Sequence, residues 1–406
     1  MTVRSSLATA LVLALLLALA RAFDVSPGER GASAAASDES QVVQQLAGKP
    51  AAADWSQGAK EVAAFGRHEG AVWSISFSPD GRYLATRSSD RTAKIWELAS
   101  GDSLATLSEH GDYISCMSFS PDGRYLVTGS WDHTANLWAV PSGDLATTLS
   151  GHAGIIQSVV FSPDGSHLAT GSLDGTARLW EVPSGELAAT LVGHAGAIYR
   201  VAFSPDGRYL ATASVDKTAK LWEVPSGALV TSLQGHTGWV TTAPFSPDGR
   251  YLATASFDHT AKLWEVPSGE LVATVSGHGG YVICVAFSPD GRFLATGSTD
   301  RTAKLWVVPT AELVATMNGH DNGVRHIVFS PDGRYLATGT MENSVKLWEL
   351  PSGRLIAVEG WQAKAVHDVE FSPDGRFLAT GGRDGTARLW EPAANESLAA
   401  PKSEGE

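Results

Sequence analysis

Along most of the chain, apolar and polar positions alternate in short runs, and the runs recur. Ile75-Ser76-Phe77 and Tyr83-Leu84-Ala85-Thr86 alternate with period two and are rich in aromatic and β-branched residues, the pattern of half-buried strands. Between them, Pro79-Asp80-Gly81 supplies a preset φ, a side chain that bonds its own backbone and a residue free to take φ > 0. That combination predicts a tight hairpin turn. A second turn at Ser89-Asp90-Arg91 leads to a third strand over 93–96. A Pro-Ser-Gly loop, as in Pro141-Ser142-Gly143, then leads to a fourth, such as 145–149. No part of this unit has a helical period.

The unit occurs eight times. Its phenylalanine falls at Phe77, Phe119, Phe161, Phe203, Phe245, Phe287, Phe329 and Phe371, always 42 residues apart, and its tryptophan keeps the same step from Trp96 to Trp390. A fixed period of this size marks a repeat architecture. A lone four-stranded sheet of this kind has two apolar faces and cannot bury both. Radial stacking buries them and closes a ring with only short, protected edges. The expected fold is all-β, an eight-bladed propeller of four-stranded antiparallel blades.

The same residues carry a family resemblance. The Gly-His start (Gly193-His194), the Ser-Pro-Asp-Gly turn and the Asp-x-Thr-x-x-x-Trp ending resemble the WD-repeat (WD40) propeller family over residues 58 to 392. The resemblance implies a buried tetrad of His, Ser/Thr, Asp and Trp in each blade, matched in the first repeat by His68, Thr86, Asp90 and Trp96. Threonine and tryptophan recur in all eight copies. Glu342 replaces the aspartate in the seventh; in the eighth Gln362 replaces the histidine and Trp361 the usual glycine. These substitutions leave the internal networks of those two blades open.

The ends of the chain complement each other. Residues 60–65 align with a fourth strand and stand immediately before His68, without three strands of their own. After Trp390 the matching strand would be 397–400, but Pro401 stands where other repeats have Leu107 or Leu149. Proline cannot donate to a ladder, so the N-terminal strand is expected to complete the eighth blade and close the ring. The chain divides into a signal peptide or membrane anchor at 1–22, a disordered tether rich in Ala, Ser, Gly and Asp at 23–57, the propeller at 58–400 and a polar tail at 401–406. The apolar run at 7–20 follows Arg4 and ends in Ala18-Leu19-Ala20, the small-residue pattern of a cleavage site. Its 14 residues fall short of the roughly 20 that span a bilayer. Export to the periplasm or cell exterior is expected, with membrane tethering only if 7–20 stays attached.

Charge and composition narrow the chemistry. A net charge of −13 leaves no large electrostatic footprint for nucleic acid. Cys116 and Cys284 hold the same position in repeats two and six, opposite each other in an eight-bladed ring. A disulfide needs Cα atoms within about 7 Å, so free thiols are expected. There is no zinc-ligand spacing, no haem signature and no Gly-x-Ser-x-Gly elbow. The tetrad histidines fall one per blade, and the Pro-Asp-Gly acids are explained by their turns. No metal, cofactor or catalytic residue is assigned. The enzymatic alternative is an acid–base site among the non-repeat residues His326, His367, Asp368 and Glu370.

The strongest functional signal is where the repeats differ. Three positions per repeat vary freely, and the resemblance places them on the top face and channel mouth. Three residues after the tetrad histidine come Tyr113, Ile155, Trp239 and Tyr281. Two further on come Trp73, Gln157, Tyr199, Arg325 and His367, and before the tetrad aspartate come Trp131, Leu173, Phe257, Met341 and Arg383. Aromatic residues, Met and Arg are enriched in interface cores, whereas drift in solvent would favour small polar residues. The expected function is a non-enzymatic, monomeric scaffold that binds a protein or peptide through the aromatic, Arg, Met and His members of these rows. A binder of a glycan or other envelope ligand is the alternative.

Overall fold

The Ser-Pro-Asp-Gly turn closes as its residues dictate. In the computed structural model, which describes residues 53–66, 68–340, 345–356 and 366–393, Ser78 Oγ donates to Asp80 Oδ1 at 2.6 Å. The same oxygen accepts the Arg82 N–H at 3.0 Å, and Gly81 takes φ +68°. This turn joins the inner strand Val72–Phe77 to Tyr83–Ser88; Ala93–Glu97 and Ser103–Leu107 follow, each hydrogen-bonded to the strand before it. Eight such four-stranded antiparallel sheets form the propeller, and in seven of them the strands follow chain order.

The eighth sheet closes the ring. Its outer strand is Ala59–Gly66, paired along Thr386–Pro392 from Ala59↔Pro392 to Gly66↔Thr386. The packed chain begins earlier than position 58, where the propeller was expected to start. Asp54 caps a short 3-10 turn, Trp55–Gln57. Trp55 is 1% exposed, meets Phe371 edge-on at 5.8 Å and donates to the Gly375 carbonyl at 3.3 Å. Asp54 accepts from the Tyr335 hydroxyl at 2.8 Å, so this turn grips blades 7 and 8 at once. A large aromatic in a stretch of small and polar residues was the available cue. Residues 1–22, most of 23–57, the tail 401–406, and Met341, Glu342, Trp361 and Gln362 lie outside the described residues.

The core sits between blades. Tyr83, Ala85 and Ile95 of blade 1, for example, form one cluster with Ile114, Phe119, Leu126 and Trp138 of blade 2. Inner strands thus line a central channel. Because strands one and three leave the same end and strands two and four return to it, the loops before the inner strand and after the second strand share that end, the top face.

Two local features were not expected. Every inner strand carries a β-bulge: pairing jumps from Val72↔Ser88 to Ser74↔Arg87, leaving Trp73 unpaired, and the equivalent residue is skipped in the other seven blades. In blade 5 the inner strand is only Val240–Thr242, with an isolated bridge at Phe245↔Leu252. Pro244 stands between them, and without an N–H it cannot continue the ladder.

Candidate functional site

The tetrad fixes the geometry of the top loops. His68 Nδ1 lies 2.8 Å from Asp90 Oδ2, its Nε2 lies 2.8 Å from Thr86 Oγ1, and Trp96 Nε1 donates to the same Oγ1 at 2.9 Å. A carboxylate only accepts, so Nδ1 carries the proton and Nε2 accepts the threonine hydroxyl. Asp90 also accepts the N–H groups of Glu69 and Thr92, one from each kind of top loop. The carboxylate therefore holds the two loops together. The arrangement recurs in blades 2 to 6. Burial pushes the Asp258 carboxyl up, but bonds from Thr260, the Thr237 N–H and His236 prevail and hold it at about 2.

Blade 7 keeps only part of the network. His320 keeps Thr338 at 2.8 Å, and Trp348 donates to that threonine, yet Nδ1 is buried with no partner among the described residues. Burial, then the Lys346 charge, take this imidazole down to about 4. In blade 8 Trp390 still donates to Thr380, and Asp384 pairs with Arg388 Nη2 at 2.7 Å.

On this frame the variable positions come together. Two of the three rows are tied in pairs by a backbone bond: the Trp131 N–H donates to the Tyr113 carbonyl, and Phe257 to Trp239, each at 2.9 Å. In blade 2, Tyr113 and Trp131 meet edge-on at 5.5 Å, with the Arg91 guanidinium over Tyr113. In blades 5 and 6 three rings form a continuous stack. Trp239 lies 5.4 Å from Phe257, Phe257 lies 4.7 Å from Tyr281 at 11° between planes, and His259 meets Tyr281 edge-on. Tyr113 is 38% and Tyr281 45% exposed. Ile155 is buried instead, while Arg383 is exposed.

The third row is the row of bulge residues. Trp73 stacks on His367 at 4.2 Å across the seam between blades 1 and 8. His367 is buried in the channel wall rather than displayed on the rim. Burial and then the Arg383 charge take it down to about 4. A bulge residue is free of the ladder and turns its side chain aside, which is why this row could vary. Asp368 holds three blades together: it accepts from Ser74 Oγ at 2.7 Å and the Ile75 N–H at 3.1 Å, and sits 3.1 Å from His326 Nδ1. Burial, then Asp368, raise the Glu370 carboxyl well above the usual range. The four residues of the enzymatic alternative are thus gathered, but Asp368 is engaged with the inner strands. Among the described residues no three His, Cys, Asp or Glu side chains converge where a metal ion could sit. Cys116 and Cys284 are free thiols, and burial pushes Cys284 up to about 12.

Sequence reasoning missed Arg87, on the second strand of blade 1 against the inner strand of blade 2, and Arg200, on the inner strand of blade 4. Arg87 interrupts a row that is glycine or alanine in the other seven repeats, a signal visible on aligning the repeats with one another.

An eight-bladed ring with tetrads on its top loops is the architecture of a WD-repeat propeller. The chain belongs to that family, whose members are generally scaffolds for protein–protein interaction. The family model "WD domain, G-beta repeat" matches residues 59–97, 101–139, 143–181 and 185–223, and "IFT122 first beta-propeller" matches 245–405. Each of the first four matches opens on an outer strand, so the sequence unit straddles two blades. Similar curated proteins include Protein HIR1 of Yarrowia lipolytica, 44% identical over 63 residues, 16% of this chain and 6% of that protein. The eukaryotic translation initiation factor 3 subunit I of Aspergillus niger is 32% identical over 50 residues, 12% of this chain and 15% of that one. The human serine-threonine kinase receptor-associated protein is 46% identical over 41 residues, 10% and 12%. The matches therefore span only 6 to 15% of these relatives' own lengths. Among solved structures, the computationally designed Ika8 protein superposes with TM-score 0.73 at 24% identity, covering 82% of this chain and 99% of that one; the likeness is one of fold.

Proposed function

We propose that this propeller is a non-enzymatic, monomeric scaffold that docks a protein or peptide on its top face. The stack Trp239–Phe257–Tyr281 carries the proposal. The ring framework recurs in blades that lack these aromatics, so they are not needed to build it, and aromatic groups of this kind anchor interfaces. To test it, a photocrosslinker replacing His259, next to Tyr281, should capture a discrete partner from native material. That partner should then bind the purified chain in a Tyr281-dependent manner. Retention on a glycan array, with no peptide or protein bound, would assign the stack to sugar faces instead.

We also propose that the chain is exported. Arg4, the apolar run at 7–20 and Ala18-Leu19-Ala20 support this reading. N-terminal sequencing of the native protein should begin at Arg21 or Phe23. An intact Met1 or Thr2 in a membrane pellet would mean that the run remains as an anchor.

A further inference from the structure

The inner ring holds charges that docking on the aromatic stack does not use. One slot of the second strand, beside the next blade's inner strand, is occupied by Gly129, Gly171, Ala213, Ala255, Gly297, Gly339 and Gly381 in seven blades. The slot is crowded. A Cβ on Gly129 would meet Cys116 Sγ at 2.7 Å and Ile156 Cγ2 at 2.8 Å, and one on Gly297 would meet Cys284 Sγ at 2.7 Å and Ile327 Cδ1 at 2.9 Å. Blade 1 places Arg87 there. Its Nη1 donates to the Ile114 carbonyl of blade 2 at 3.1 Å, while its Nε is buried without a hydrogen-bond partner. A cation set into a tight, incompletely bonded position opposes folding, so its presence calls for another role.

Two more arginines join it. Arg200 of blade 4 is exposed and donates through Nη1 to the Gln157 carbonyl at 3.1 Å, and Arg325 occupies the bulge of blade 7. Blades 1, 4 and 7 are three, three and two places apart around the ring, so the three arginines stand on well-separated blades. Arg200 acts on both of the others: burial first, with the Arg200 charge adding to it, lowers Arg87 and Arg325. The acid that acts on Arg87 is Asp368, already engaged by His326, Ser74 and the Ile75 N–H. The channel mouth is thus cationic in a chain of net charge −13.

We propose that the top mouth of the channel binds a small anion bearing several phosphate groups, held by Arg87, Arg200 and Arg325. Planar guanidinium forks suit phosphate oxygens, and a ligand with more than one phosphoryl group can bridge arginines from separate blades. The negative field of the whole chain disfavours a long polyanion, whereas a charged cleft concentrates a small one.

The test is calorimetric titration of the full chain with sodium tripolyphosphate at about 50 and about 200 mM salt. Saturable binding of one ligand per chain is expected, weaker at the higher salt. Arg87→Gly and Arg200→Gln should each weaken it by at least about tenfold. Arg87→Gly restores the residue found in most blades and should keep or raise Tm; if it does not fold, Arg200→Gln, altered at an exposed side chain, decides. Trp131→Ala with Trp239→Ala should leave tripolyphosphate binding unchanged, which separates this site from the docking face. No saturable heat with the wild-type chain would overturn the proposal. So would binding that both arginine variants retain, or binding of a phosphopeptide without tripolyphosphate.

Discussion

At the residue scale, the tetrad threonine is the node on which each blade turns, since it accepts from tryptophan and donates to histidine. Asp216→Ala would leave His194 Nδ1 and the Ala195 N–H, which Asp216 accepts in the structure, without their acceptor. A loss of about 1–3 kcal/mol is expected. Trp222 is 2% exposed, and Trp222→Ala should cost more, about 3–5 kcal/mol, through the cavity left behind. Urea unfolding of the two variants checks the order, and equal, negligible losses would remove the tetrad from the account of stability. His320 offers a pH test. Its imidazole titrates at about 4 in the fold against about 6.5 in an unfolded chain. Between those values the unfolded chain binds a proton that the folded one refuses. Stability from this group is therefore complete above about pH 6.5 and is lost as pH falls toward 4, by something on the order of 3 kcal/mol. Glu342→Asp installs the acid that the other seven repeats carry; it should raise the His320 pKa, read by NMR titration, and reduce that loss.

At the scale of elements, much was legible because the same local chemistry is written eight times. Proline, aspartate and glycine determine their turn wherever they stand together, and a fourth strand without its blade at one end meets a blade without its fourth strand at the other. The bulge was not legible. Alternation of apolar and polar residues shows which face a residue takes, but one extra residue in the ladder leaves almost no trace when the repeats all share it. Pro244 was readable in principle as a strand breaker, and Trp55 as a residue too large for a tether. Trp55 makes a prediction of its own. Trp55→Ala should cost about 3–5 kcal/mol although it lies outside every repeat, and hydrogen exchange should quicken first in blades 7 and 8. Deleting 53–66 should damage the fold far more than deleting 396–406, because it removes both the outer strand of the closing blade and its lock. The reverse order in thermal unfolding would refute this account of closure.

At the scale of the whole molecule, a ring built from nearly identical units expresses much of its individuality where a side chain is free of both ladder and tetrad. Those positions lie at the top ends of the blades, so differences scattered 42 residues apart in the chain meet on one face. The aromatic members there are not evenly spread: Tyr113 and Trp131 share one blade, and Trp239, Phe257 and Tyr281 stack across two others. A partner that uses both groups must reach across the face, which sets the expectation for a double variant. Large aromatics at the centre of an interface can each carry about 2 kcal/mol or more, so changing Trp131 and Trp239 together to Ala should weaken partner binding at least about a hundredfold. Neither ring is part of the repeated framework, and the unfolding temperature should hold. Lys94→Ala with Lys262→Ala is the control. Each lysine makes one exposed bond to the neighbouring strand, to Thr106 and Thr274, so binding and stability should both stay near wild type. If the tryptophan pair can be removed with the captured partner still bound at full affinity, the docking surface lies elsewhere on the ring, and the aromatic residues at the top are variation without a role in binding.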